Sequence, residues 1–319
     1  MTPFTANPSQ AVSAYGERRL ITAIRRWLGP ASPPAPFGIG DDCAVLPPTR
    51  RHQLVTTDPV IYGQHFDQHV APRAVGAKLL KRNLSDIAAM GGRPSAAVVS
   101  LALAPATSLA WLKSFYRGLA SCALKYQVKI VGGDITQGPA GFFGAFLTLH
   151  GEATGQRVVT RGGAQRGDRV YVTGKLGGSL LGHHHKFSPR LAEGAWLANR
   201  PEVRAMMDVS DGLAQDLNAL TPAGLAPALC ATAIPLSPAA HQRARCTKKS
   251  ALLHALSDGE DYELLIVVNA RANTAQLARA WHQRFPQTKL SLLGHFVRRA
   301  ELPPTALRLE DYHGYEHLR

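Results

Sequence analysis

Apolar residues first recur at helical spacing in GERRLITAIRRWLG, where Leu20, Ile24, Trp27 and Leu28 share one face, arginines take the other and Gly29 closes the segment. The pattern predicts a surface helix docked by its apolar stripe. The proline-rich approach ASPPAPFGIGDD cannot be helical and leads into a turn. HQLVTTDPVI reads as a strand with Asp58 near its end, stopped or confined to an edge by Pro59. PRAVGAKLLKRNLSDIAAMGG is a long helical pattern, with Pro72 at its start and Gly91 just past its end. AAVVSLALA is a buried strand, SLAWLKSFYRGLASCALKY a helix, VKIVGGD a strand running into a glycine turn, and GAFLTLHGEA a further strand. The second half opens on GDRVYVTGKLGGSLLG, read as strand, glycine turn and helix start, followed by RAMMDVSDGLAQDLNAL as strand, acidic turn and helix. YELLIVVNA and LSLLGHFV are later strands, with NTAQLARAWHQRF a helix between them. No short-period repeat is visible.

This alternation, with 45% hydrophobic and 18% charged residues, describes an α/β or α+β protein rather than a disordered one. A length of 319 residues suits two domains, divided here as 1–148 and 149–319. No apolar run approaches the ~20 residues of a membrane span, and MTPFTANPSQ lacks a basic segment followed by an apolar one, so a cytoplasmic protein is expected. Cys43, Cys122, Cys230 and Cys246 are far apart and form no C-x-x-C pair, so reduced, mostly buried thiols are expected. The formal net charge of +14 lies in short pairs such as Arg25 with Arg26 and Lys81 with Arg82. Such a field attracts nucleic acid or small polyanions such as ATP. Aromatic residues at 7% and the absence of RNP-type or finger spacing count against nucleic acid.

Neither a P-loop nor a dinucleotide glycine fingerprint occurs, and G-x-S-x-G is absent. What recurs is aspartate beside glycine, serine or threonine at the end of a strand or the start of a helix: GIGDD, TTD, NLSD, GGD and DVSDG. Each has a plain structural reading. Asp41 or Asp42 suits an Asx-turn, Asp134 suits turn chemistry, and Asp211 stands where a helix N-cap belongs. Asp86 lies on an apolar helical face if its helix is continuous; otherwise Ser85 or Asp86 caps a fresh helix. Asp208 is an acid in an apolar strand. A buried carboxylate needs a partner, and converging carboxylates need cations. Oxygen ligands without histidine or cysteine suit Mg²⁺, and glycines let backbone N–H groups approach phosphate, so the set points to magnesium-dependent phosphoryl transfer. His183, His184 and His185 are adjacent and cannot easily face one ion, so a surface or hinge role is expected.

GIGDDCAVL, TTDPVIYGQHF, NLSDIAAMGG, IVGGDITQG, VVTRGGAQRGDRVYVTG, MDVSDGLAQDL and LSDGEDYELL occur in this order over roughly residues 15 to 315. Together they resemble the thiamine-monophosphate kinases, of the superfamily that includes aminoimidazole ribonucleotide synthetase and selenophosphate synthetase. The resemblance implies an N-terminal ATP- and Mg-binding domain whose four-stranded sheet pairs with that of a second subunit into a dimer barrel, and a C-terminal α/β domain. It implies transfer of the γ-phosphoryl group of ATP to thiamine monophosphate by a cytoplasmic homodimer, with ATP and several Mg²⁺ ions in a cleft lined by the aspartates. By position it makes Asp42, Thr56, Thr57, Asp58, Asp86, Asp134, Asp208 and Asp211 metal-binding, with Asp58, Asp134 and Asp211 catalytic. Tyr116, Gly133, Asp134, Arg161 and Ser210 match nucleotide-contacting positions, and His65, Glu260 and Tyr315 match positions that meet thiamine monophosphate. The acceptor is a phosphate monoester with a second pKa of about 6, so it needs no general base.

The chain departs from the family pattern at Pro59, Tyr62, Ile135, Gly178 and Asp258, and none of these removes an implied metal ligand. Two other readings stay open. One is a synthetase of the same superfamily with a different acceptor. Selenophosphate synthetases carry a reactive cysteine or selenocysteine near the N-terminus, whereas the first cysteine here, Cys43, follows the aspartate pair. The other is a basic nucleic-acid-binding protein, whose binding weakens steeply with salt and needs neither ATP nor Mg²⁺.

Overall fold

The computed structural model describes residues 1–35, 37–40 and 43–315, so Asp41 and the implied metal ligand Asp42 lie outside the described residues. The chain divides into two compact units, Met1–Ile87 with Arg93–Glu152, and Ala88–Gly92 with Ala153–Arg319. Among the described residues no helix is long and apolar enough to cross a membrane.

The first unit holds α1 (Glu17–Leu28), β1 (Gln53–Ile61), α3 (Leu109–Lys125) and β3 (Lys129–Gln137), and all but the terminal residues of α2 (Pro72–Ala89), β2 (Gly92–Leu103) and β4 (Phe143–Ala153). Leu20, Ile24 and Leu28 are the buried stripe of α1, and the Gly29 N–H, at φ +54°, bonds back to the Arg25 carbonyl. The strands lie in the order β1-β4-β2-β3, with β1 antiparallel to β4 and β2 parallel to β3. Pro59 therefore does not end β1: it sits within an edge strand, opposite Phe146, where its missing N–H costs no interior ladder bond. The aromatic rings of Phe66, Trp111, Phe115 and Phe143 pack together, with Trp111 and Phe143 edge to face at 4.7 Å.

IVGGD does not end in a turn, because β3 continues to Gln137 with Gly133 opposite Val99 and Asp134 opposite Ser100. Gly133 is needed for close approach, since a Cβ there would stand 2.0 Å from the Val99 carbonyl oxygen. The thiols are not mostly buried: Cys43, Cys230 and Cys246 are exposed and only Cys122, inside α3, is buried.

Helices α2 and α3 touch through glycine. A Cβ on Gly118 would lie 1.9 Å from the Arg73 carbonyl oxygen, and one on Gly76 would lie 2.0 Å from that of Phe115. Both obstacles are backbone, so neither helix can yield by a side-chain rotation. Gly118→Ala is expected to destabilise the protein by about 1–3 kcal/mol, read as a lowered urea midpoint, despite alanine's better helix propensity.

The second unit is built on β5 (Arg169–Thr173), β6 (Val203–Asp208), β7 (Leu225–Leu229), β8 (Leu264–Val268) and β9 (Leu290–Arg298), in the order β6-β8-β5-β9-β7 with antiparallel neighbours. Its helices are α4 (His183–Lys186), α5 (Leu191–Ala198), α6 (Leu213–Leu220), α7 (Pro238–Cys246), α8 (Ala251–Ser257) and α9 (Thr274–Arg284). β8 is apolar throughout because both faces are covered. Leu265 and Val267 join one core with Leu213, Leu217 and Leu256, while Leu264, Ile266 and Val268 join another with Leu197, Leu277 and Trp281.

Candidate active site

In the first unit the two-residue period of β1 puts Leu54, Thr56, Asp58 and Val60 on one face, of which Leu54 and Val60 are buried. The polar middle of that face meets α2. The Thr56 hydroxyl donates to Asp86 Oδ2, and Arg82 Nη2 donates to Asp58 Oδ1 at 3.1 Å. Arg82 also donates to the Pro59 carbonyl at 2.8 Å, so β1 and α2 are fixed at the level of the aspartates. Helix α2 is continuous through Asp86, which settles the choice between facing residue and fresh cap. Thr57 points to the opposite face, its hydroxyl donating to the Leu147 carbonyl at 3.1 Å. Beyond the strand, His65 is buried: its Nδ1 accepts from the Ile61 N–H at 3.1 Å, which leaves the ring proton on Nε2, and its carbonyl accepts from the fully buried Lys78 at 2.7 Å.

Asp134 lies on the other edge strand. Three strand spacings separate β1 from β3, about 14 Å along the sheet. There a cavity of about 730 Å³ is lined by Arg18, Ile24 and Leu28 of α1, Tyr116 of α3, and Gly133 and Asp134 of β3. Three implied ligand-contacting positions, Tyr116, Gly133 and Asp134, thus share one pocket. Tyr116 is buried, which pushes its hydroxyl well above its ordinary range and keeps it neutral. An apolar wall with glycine backbone and a carboxylate at one end suits a flat ring joined to a charged tail.

In the second unit β6 delivers Asp208, 3% exposed, into the turn Val209–Gly212. Asp211 is not the N-cap of α6. That position belongs to Gly212, which has no side chain to cap with, and the N–H groups of Ser210 and Asp211 point instead to Asp216 Oδ2 at 2.9 and 3.0 Å. The carbonyls of the turn are taken from outside it: Glu260 N–H donates to Ser210 O at 2.7 Å, Tyr262 N–H to Val209 O at 2.8 Å, and Tyr315 N–H to Asp211 O at 3.0 Å. Ser210, Asp211, Glu260 and Tyr315 are thereby brought together. Arg161 is exposed on the segment before β5. Burial, and then the charges of Asp208 and Asp211, push the Asp216 carboxyl up to about 8.

Motif matching alone missed Asp216, which reads as one polar residue of an amphipathic helix, and Tyr262. The Tyr262 hydroxyl donates to Glu260 Oε1 at 3.2 Å and its ring stacks on Phe187 at 4.0 Å. Glu260 and Tyr262 hold φ values of +55° and +52°, conformations that non-glycine residues adopt only when their surroundings enforce them. Behind them the fully buried Asp261 accepts from Gly177 N–H at 2.9 Å and from the Ser179 hydroxyl, and burial still pushes its carboxyl up to about 8. The histidine run brackets this network and is not at the surface throughout. His184 is buried with Nδ1 against the Ser179 carbonyl at 2.9 Å, and His183 Nε2 lies 3.3 Å from the Asp261 carbonyl.

Among the described residues no group of three or more His, Cys, Asp or Glu side chains is gathered closely enough to hold a metal ion by itself. Mg²⁺ does not demand such a cage, since it usually takes one or two carboxylates, waters and substrate phosphates. The all-oxygen face of Thr56, Asp58 and Asp86 fits that form.

Residues 40–153, which hold the whole four-stranded sheet, match the family described as AIR synthase related protein, N-terminal domain. The chain is 38% identical over 248 residues to thiamine-monophosphate kinase of Rhodopirellula baltica, covering 74% of this chain and 77% of that one. To thiamine-monophosphate kinase of Escherichia coli K12 it is 34% identical over 333 aligned positions, covering 95% and 98%. The chain belongs to the thiamine-monophosphate kinase family. A solved structure described as AaThiL complexed with AMPPCP and TMP has the same fold, with a TM-score of 0.62 at 29% identity over 89% of this chain and 92% of that one.

Proposed function

We propose that this protein transfers the γ-phosphoryl group of ATP to thiamine monophosphate, giving thiamine diphosphate and ADP. Family membership over nearly the whole length carries the reading, and the pocket at Tyr116, Gly133 and Asp134 supports it. The acceptor oxygen already belongs to a phosphate that is largely dianionic at neutral pH, so the chemistry asks for position and charge neutralisation rather than proton abstraction. Mg²⁺, when bound, would supply that charge neutralisation.

The residues divide by unit. On the first, Asp42, Thr56, Asp58, Asp86 and Asp134 hold Mg²⁺, while Tyr116 and Gly133 receive ATP and His65 meets thiamine monophosphate; Thr57 is not kept among the metal-holding side chains, because its hydroxyl lies on the opposite face and donates to the Leu147 carbonyl. On the second, Asp208 and Asp211 hold Mg²⁺, Arg161 and Ser210 contact ATP, and Glu260 and Tyr315 meet thiamine monophosphate. In domain terms, the first unit is the ATP- and Mg-binding and dimerisation domain and the second the C-terminal α/β domain of a cytoplasmic enzyme; the expected boundary at 148/149 falls inside β4 and moves to Glu152/Ala153. Val55 and Phe146, 60% and 39% exposed on the sheet face away from Thr56 and Asp58, support a homodimer closed through that face.

The test incubates the protein with ATP, Mg²⁺ and thiamine monophosphate and follows ADP and thiamine diphosphate by chromatography. Both products are expected in equal amounts. ADP without thiamine diphosphate, or no nucleotide turnover, overturns the reading. A second measurement probes the acceptor side. Tyr262→Phe removes one hydroxyl and keeps the ring stacked on Phe187, so it is expected to raise the KM for thiamine monophosphate about fivefold and leave the KM for ATP unchanged.

A further inference from the structure

We propose that Asp216 is the positioning residue of the acidic turn, fixing the direction of the Asp211 carboxylate by accepting the N–H groups of both Ser210 and Asp211. The role of the turn rests on the kinase reading above. Asp216 lies in the first turn of α6, 3% exposed, and its own N–H is held by the Gly212 carbonyl at 3.1 Å. From there its side chain reaches back along the helix to the residues before the cap, and one oxygen, Oδ2, takes both bonds at 2.9 and 3.0 Å.

The turn is thus clamped from two sides. Its carbonyls at Val209, Ser210 and Asp211 receive N–H groups from Tyr262, Glu260 and Tyr315, and its N–H groups are received by Asp216. The carbonyl clamps are backbone and survive substitution, whereas the Asp216 clamp is a side chain. Losing it frees the peptide units on either side of Ser210 and Asp211 to rotate, and the Asp211 carboxylate turns with them. Catalysis that works by held geometry suffers from displacements of about 1 Å.

The role requires an acceptor oxygen at that place and not a negative charge. Asparagine keeps such an oxygen and alanine does not. On the full chain, Asp216→Ala is expected to lower kcat about tenfold to a hundredfold and to raise the Mg²⁺ concentration for half-maximal rate. Asp216→Asn is expected to rescue kcat to within about threefold of the parent and to restore its Mg²⁺ dependence. Amide hydrogen exchange at Ser210 and Asp211 reports the clamp without catalysis: protection is expected in the parent and in Asp216→Asn, with faster exchange in Asp216→Ala. An Asn variant as impaired as the Ala variant, or one whose two amides exchange fast, overturns the proposal, as does parental kinetics in Asp216→Ala. If the alanine variant does not fold, the asparagine variant decides on the same two readouts. If the parent makes no thiamine diphosphate, the kinase reading falls, and the exchange comparison still decides whether Asp216 holds the turn.

Discussion

Asp58→Asn is expected to lower thiamine diphosphate formation by at least about a thousandfold, the loss that follows if its carboxylate holds Mg²⁺ as proposed and a neutral amide replaces it. The substitution is isosteric, and its surroundings keep the fold effect small. Arg82 is anchored twice, at the Pro59 carbonyl and at Asp58 Oδ1, and an asparagine oxygen still accepts the second bond. The pair is partly exposed, at 10% and 25% for the two side chains, so losing its charge attraction costs about 1 kcal/mol or less. Activity and stability therefore separate: turnover collapses while the urea midpoint moves little. Raising Mg²⁺ should recover only part of the rate, because the amide oxygen is a weaker ligand for a hard cation. Near-parental turnover at ordinary Mg²⁺ would remove Asp58 from the metal-binding set.

Asp58 and Asp86 were legible because carboxylates in apolar surroundings break the pattern of a strand or helix, although both lie inside β1 and α2 and not in the turns expected of them. Asp58 interrupts the buried face of β1, and Asp86 interrupts that of α2. Long periodic elements such as α1 and α2 were legible for the same reason in reverse. What stayed hidden depended on contacts distant in sequence. Two glycines before Asp134 read as a turn, yet both lie in β3 and Gly133 serves its close approach to β2. Asp216 looked like the polar side of an amphipathic helix, because nothing local shows that its carboxylate turns back to the N–H groups of Ser210 and Asp211. The left-handed backbone of Glu260 and Tyr262 leaves no trace in composition. Gly178 and Asp258, separate departures along the chain, meet in space: Asp258 Oδ2 accepts from Gly178 N–H at 3.2 Å and pairs with Arg243 at 3.1 Å.

Glu263 presents the largest stability effect expected in the second unit. Its carboxylate, 4% exposed, is gripped by Arg190 through Nε at 2.7 Å and Nη2 at 2.6 Å, and accepts from the Thr173 hydroxyl at 2.6 Å. Two parallel charge-assisted bonds to a guanidinium are geometrically specific, and both groups have given up water to make them. Arg190 has weaker contacts to fall back on, Glu193 at 3.4 Å and Thr288 at 3.2 Å. Glu263→Ala leaves the guanidinium, 21% exposed, largely desolvated without its main counter-charge, and an unfolding free energy lower by about 3–5 kcal/mol is expected from urea denaturation. The double variant Arg190→Met with Glu263→Ala removes the stranded charge and should be less destabilised than the sum of its parts, a coupling the double-mutant cycle measures. Because β8 starts one residue after Glu263 and Tyr262 directly precedes it, loosening this pair also slackens the strained segment that presents Glu260. The KM for thiamine monophosphate should therefore rise in the folded fraction of Glu263→Ala, and stay raised in the double variant if the lost grip on β8 sets the position of that loop, whereas recovery there would assign the effect to the stranded Arg190 charge.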